Sequence, residues 1–171
     1  MLIDELTQQE LRDLLVKNWM AHDGSWFLNC YLRLGIDEAN KLNKAAIKTL
    51  APMEVKRVKN LSQFRDKKKL ENYEEVKEFM KDAFSVLKGD FMDFTISFPE
   101  ENCIHWEMNR CFAYEGMKRL GVQEQYECGV IYRVSRWLKE LGIKHKIKPR
   151  IKKCLLNTQG KCEGDFLIRF Y

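Results

Sequence analysis

No stretch of this 171-residue chain stays apolar for the roughly 18 residues that a bilayer-spanning helix needs. Its N-terminus, MLIDELTQQELRDLL, lacks the basic start and apolar centre of a signal peptide. The expected setting is therefore cytoplasmic, with no membrane partner. There is no Gly-rich phosphate loop, no HExxH and no GxSxG. Nucleotide hydrolysis, zincin proteolysis and α/β-hydrolase chemistry thus have no motif behind them. Six cysteines are present, but no CxxC pair. Zinc knuckles and iron–sulfur sites usually show at least one close pair. With no export signal, reduced thiols are expected rather than a disulfide framework. No linker, repeat or low-complexity tract divides the chain.

What is there is the composition of a globular protein: 45% hydrophobic and 12% aromatic. The length suits one domain, 1–171, able to bury a real core. A formal net charge of +5 admits an anionic ligand but does not by itself argue for nucleic acid.

Helical periodicity dominates residues 1–89. Leu6, Leu11, Leu14, Leu15, Trp19 and Met20 share one spacing, and Thr7 with Glu10 forms a capping-box pattern. Trp26, Phe27, Cys30, Tyr31 and Leu34 form a second stripe, closed by Gly35. A third helix opens at Asp37, and Pro52 starts a fourth segment. A further helix is expected from Glu74 to Leu87. Residues 90–171 contain the sheet. Met92, Phe94, Ile96 and Phe98 alternate with polar residues, as do Ile104, Trp106 and Met108. These read as a hairpin over residues 91–109. Helices from about Asn109 to Leu120 and Glu127 to Leu141 follow. IKHKIKPRIKKCLL then alternates through Leu155 as a strand in which Pro149 marks an edge or bulge. DFLIRFY is a final strand. The predicted fold is α+β: an N-terminal helical layer packed on a four-stranded, mainly antiparallel sheet, with two helices inserted between its hairpins.

Four features compete as sites. MAHDGSWF brings His22, Asp23 and Ser25 together, but three sequence neighbours seldom align as a catalytic triad. The simpler reading is a helix junction, with one helix ending near Ala21, Gly24 absorbing the turn and Asp23 or Ser25 capping the next helix. Trp26 and Phe27 then anchor the helical layer, and His22 reaches toward a pocket. The polar face of the hairpin carries Cys103, His105 and Glu107, with Asp93, Thr95 and Ser97 on the same side. Thiol, imidazole and carboxylate together suit acid–base or nucleophilic chemistry; a solvated sheet face is the competing reading. Cys111 and Cys128 each lie in the first turn of a predicted helix, where a thiolate is favoured, although buried packing accounts for free cysteine equally simply. Lys144, Lys146, Lys148, Arg150 and Lys152 form a basic stripe. Without interleaved aromatics it reads better as edge-strand protection than as a nucleic-acid surface.

The segments WMAHDGSWFLNCYLRLGIDEANKLN and NRCFAYEGMKRLGVQEQYECGV, with IKPRIKKCLLNTQGKCEGDFLIRF, resemble a family of small prokaryotic cytosolic proteins. The C-terminal half is also similar to the L-2-amino-thiazoline-4-carboxylic acid hydrolase-like family, and more distantly to small-molecule-binding domains of the vinyl-reductase type. That resemblance implies a small cyclic carboxylate as ligand, with Cys111, Cys128 and Cys162 as the matched positions.

Two functions are carried forward. One is a small-molecule-binding domain for a small anion, with hydrolase chemistry built on His105, Glu107 and Cys111. Its ligand contacts would come from His22, Trp26, Cys103, Cys128, Lys148 and Arg150. The other is a non-enzymatic sensor or interaction module that binds metal or a cofactor through its cysteines. Whether the chain is an enzyme stays open, no cofactor is specified, and no residue is assigned as a metal ligand. A homo-oligomer is compatible with the sequence.

Overall fold

The computed structural model describes residues 1–170; Tyr171, the end of the predicted last strand, lies outside them. Among the described residues seven helices and four strands alternate in the order α1 (Leu2–Glu5), α2 (Gln8–Leu34), α3 (Ile36–Leu61), α4 (Tyr73–Leu87), β1 (Phe94–Ser97), β2 (Cys103–Met108), α5 (Phe112–Arg119), α6 (Gly129–Glu140), β3 (Lys144–Lys148), α7 (Leu155–Gln159) and β4 (Cys162–Arg169). The fold is α+β. The sheet order is β1-β2-β4-β3, and every neighbouring pair runs antiparallel.

The alternation seen in the sequence sets the two faces of the sheet. Ile104 and Trp106 of β2 and Phe166 and Ile168 of β4 point into one core. Val76, Phe79, Met80 and Ala83 of α4 meet them there, as do Ile131, Val134, Trp137 and Leu138 of α6. Ala51, Val55 and Val58 of α3 join the same core, which therefore runs through both halves of the chain. Gly164 allows the closest approach in the sheet. A Cβ there would stand 2.3 Å from the Lys148 carbonyl oxygen and 2.6 Å from the Trp106 ring. A second cluster joins Phe27, Ala39, Met117, Val122, Tyr126 and Cys154.

The expected junction at residues 20–27 does not exist. Thr7 caps α2 through its side chain, with Glu10 completing the box at 2.9 Å, and the helix then runs unbroken to Gly35 at φ 80°. Val16 and Phe27 explain why. They are the two buried residues of α2, and their separation is about three helical turns, which puts both on one face. A break at Gly24 would turn one of them out of the core. Phe27 packs edge-on against Tyr126 with ring centroids 5.8 Å apart.

Pro52 likewise begins no new segment but lies inside α3. Its missing N–H deprives the Lys48 carbonyl of its helical partner, yet burial of Ala51, Glu54, Val55 and Val58 holds the helix through it. The predicted strand through Leu155 is also shorter than expected. β3 stops at Lys148, before a cis Lys148–Pro149 peptide, and Leu155 opens α7.

Candidate functional site

Four cysteines gather where three helices and a strand begin. Cys111, Cys128 and Cys154 are the N-cap residues of α5, α6 and α7, and Cys162 is the first residue of β4. Burial pushes the Cys128 thiol up to about 12, and the charges of Cys111, Cys154 and Cys162 push it the same way; the Ile131 amide opposes them. Cys162 is raised to about 11 by burial, again with Cys111 and Cys154 adding to it. Cys111 is raised chiefly by burial, opposed by the amides of Tyr114 and Ala113. A helix start presents free amides and a positive dipole end, both of which favour a thiolate. Desolvation wins at Cys111, Cys128 and Cys162, so these three thiols stay protonated.

One further donor looks into this site. Trp106 is 2% exposed, and its indole Nε1 has no nitrogen or oxygen acceptor. The sulfur of Cys162 is the group beside it, and the N–H favours the ionised form of that sulfur. A buried donor without an acceptor costs stability, unless the sulfur beside it becomes charged. As they stand, no three or more His, Cys, Asp or Glu side chains among the described residues are arranged to hold a metal ion.

The other polar candidate is the outer face of the sheet. Cross-strand pairing lines up Ser97, His105, Asp165 and Lys148 in one row across all four strands. His105 Nδ1 lies 2.8 Å from Asp165 Oδ1, and Cys103 donates to the same oxygen at 3.7 Å. The aspartate can thus orient the imidazole. Burial raises Cys103 to about 11, with the Asp165 charge adding to the effect. The alternate side chains Ser97, Glu107 and Lys148 are exposed, so this face is largely solvated.

The predicted site residues therefore divide. His105 and Cys103 meet at Asp165, a residue the sequence reading did not include. Lys148 is the cross-strand neighbour of Asp165, and Arg150 is exposed beyond the end of β3. Glu107 is exposed on the outer sheet face. Cys111 joins Cys128 and Cys154 instead of His105. His22 does not reach a pocket: its side chain is 78% exposed and lies 3.9 Å from Asp23 on the surface of α2. Trp26, expected to anchor the helical layer, is exposed, and Phe27 alone is buried there. Two open surface grooves flank α4. One, of about 470 Å³, is lined by Arg12, Ser85, Lys88 and Asp90, and the other, of about 260 Å³, by Met80, Phe84, Phe94 and Phe98. Neither contains a predicted site residue.

The sequence also gave no signal for a buried ion pair between α3 and α6. Glu54 accepts hydrogen bonds from Arg133 Nε at 2.9 Å and Trp137 Nε1 at 2.7 Å, with a second Arg133 contact completing a fork. The guanidinium also stacks on Trp19 of α2, 4.3 Å from the ring centroid. Both partners of Glu54 are distant in sequence, so no local pattern announces them.

Fold and site together define an α+β protein with a group of four thiols at the starts of three helices and a strand. The chain belongs to a family of unknown function (DUF6125), whose model matches residues 4–165. No curated protein and no solved structure matches it significantly.

Proposed function

We propose that this protein is a non-enzymatic sensor or interaction module that takes up one thiophilic metal ion through Cys111, Cys128, Cys154 and Cys162. The gathering of these four thiols, with the Trp106 indole N–H beside Cys162, carries the reading. Four sulfur ligands suit zinc or iron in tetrahedral geometry. Uptake would release the thiol protons, so affinity would rise with pH. The Trp106 N–H and the amides of Tyr114 and Ile131 would then bond to charged sulfurs, as outer-shell donors do. Since the ligands sit on α5, α6, α7 and β4, metal occupancy would stabilise the C-terminal half as a unit.

Cobalt(II) titration of the reduced, chelator-treated protein tests this. The expected result is thiolate-to-cobalt charge-transfer absorption saturating at one ion per chain. Cys128→Ser and Cys154→Ser should abolish it, and Cys30→Ser should not. Failure of the native protein to bind the ion stoichiometrically removes the reading.

A hydrolase acting on a small cyclic carboxylate is the second reading, favoured by the His105–Asp165 pair with Lys148 beside it. Turnover of 2-amino-thiazoline-4-carboxylate that is lost in His105→Ala supports it; no turnover by the native protein rejects it.

A further inference from the structure

Among the described residues β1 has a strand on one side only, since it ends the order β1-β2-β4-β3. The pairing fixes which of its backbone groups are spent. Ile168 N donates to Asn102 O at 2.8 Å, so Ile104 and Trp106 turn their N–H and C=O groups toward β4. His105 and Glu107, between them, therefore bond to Ser97 and Thr95 of β1. Asn109 N, donating to Asp93 O at 3.0 Å, continues the same alternation. The backbone groups of Phe94 and Ile96 are left pointing off the sheet. Lys88 Nζ reaches one of them, the Phe94 carbonyl, at 2.7 Å.

Beside this free edge runs the groove of about 260 Å³, walled by Met80 and Phe84 of α4 and bordered by Phe94, Ile96 and Phe98. It meets the larger groove at Phe84, Ser85 and Lys88. The charges on its rim differ in how they are matched. Arg12 pairs with Asp90 at 2.5 Å and Lys81 with Glu78 at 2.8 Å. Lys88 has only the Phe94 carbonyl and ring, and no ion-pair partner among the described residues.

We infer that an extended segment of a partner protein docks here as a fifth, antiparallel strand. Its side chains are apolar at every second position, and a carboxylate lies toward its C-terminal end. The unspent N–H and C=O groups select an extended backbone, because only a strand presents complementary groups at that spacing. In antiparallel pairing the residue opposite Ile96 exchanges both bonds with it and projects its side chain to the same face. That face is the groove, so alternate side chains enter it and the intervening ones stay in water. The stretch from Phe94 to Phe98 is about 13 Å long at roughly 3.3 Å per residue, room for about five residues of partner. Running antiparallel, the partner passes Ile96 before Phe94 and ends beside Lys88. Its N–H takes the Phe94 carbonyl, and the released ammonium meets its carboxylate. The thiols and the His105 row lie elsewhere, so the inference is independent of both proposed readings.

An array of capped seven-residue peptides, varied at every position and probed with the labelled full chain, tests this. Bound peptides should share apolar residues two apart, with Asp or Glu toward the C-terminal end. Backbone N-methylation of the tightest peptide should weaken binding more than tenfold at the apolar positions and much less at the positions between them. Lys88→Glu should reverse the terminal preference to Lys or Arg, with circular dichroism checking that the fold is kept. Lys56→Glu, an exposed change on α3, should select the native set. An array without enriched peptides overturns the inference. So does an N-methyl scan without alternation, or a preference that Lys88→Glu leaves unchanged.

Discussion

Replacing Glu54 by Ala should destabilise the protein far more than its small volume suggests. The carboxylate is 8% exposed and the Arg133 side chain 23%. Removing Glu54 leaves a guanidinium largely out of water with no counter-charge. It also leaves the Trp137 indole N–H, bonded to Glu54 at 2.7 Å, without its acceptor. Breaking a fully buried pair costs about 3–5 kcal/mol. Arg133 keeps some contact with water and its stacking on Trp19, which lowers that figure. The orphaned indole adds about 1 kcal/mol or more. The expected loss is about 3 kcal/mol. For a chain of this size that corresponds to a fall of roughly 6–12 °C in Tm, at about 2–4 °C per kcal/mol. Urea unfolding monitored by tryptophan fluorescence measures it directly. The double change Glu54→Leu with Arg133→Met should cost much less than the single one, because no charge is left stranded. A Glu54→Ala variant within about 1 kcal/mol of native would refute the reasoning, since it falls below the usual cost of a buried unpaired group.

Two further outcomes are expected. The thiols of Cys128, Cys162 and Cys103, raised to about 12, 11 and 11, hold their protons in the folded state at pH values where an unfolded thiol, near 8.5, has lost its own. The unfolded chain then binds fewer protons, so metal-free stability should fall as pH rises from about 8.5 toward 11, by up to about 1.4 kcal/mol per pH unit for each thiol; urea titrations at stepped pH check this, and Cys128→Ser should flatten the slope. Gly164→Ala should cost about 2–3 kcal/mol by overpacking, because its Cβ would meet the Lys148 carbonyl and the Trp106 ring; a thermal melt matching the native protein would contradict that packing.

The legible parts of the fold were those with strong periodicity. The helix expected from Glu74 to Leu87 is α4, Tyr73–Leu87, where an apolar stripe and an Asn72 cap act together. The hairpin was legible because Phe94 and Ile96, then Ile104, Trp106 and Met108, alternate with polar residues along strands that bury one face. The helix breaks expected at Gly24 and Pro52 failed for a common reason. Glycine and proline weigh against a helix by a few kcal/mol at most, and burial of Val16 and Phe27 in α2, or of Val55 and Val58 in α3, outweighs that. The site was less legible. The N-terminal positions of Cys111 and Cys128 were readable from helix starts. Their meeting with Cys154 and Cys162 was not, because irregular gaps in sequence say nothing about where the starts of α5, α6, α7 and β4 converge.

By itself the sequence determined the elements that rest on local physics: the apolar stripe of a helix, the alternation of a strand, a cap at Thr7, and the polar face bearing His105. Tertiary structure alone decided which distant groups become neighbours. It set Asp165 against His105, buried Glu54 under Arg133 and Trp137, and brought four thiols to one place beneath Trp106. These contacts depend on the packing of α3, α6 and β4 around a shared core. That packing is a property of the whole chain's volume and burial, and no short window of residues carries it.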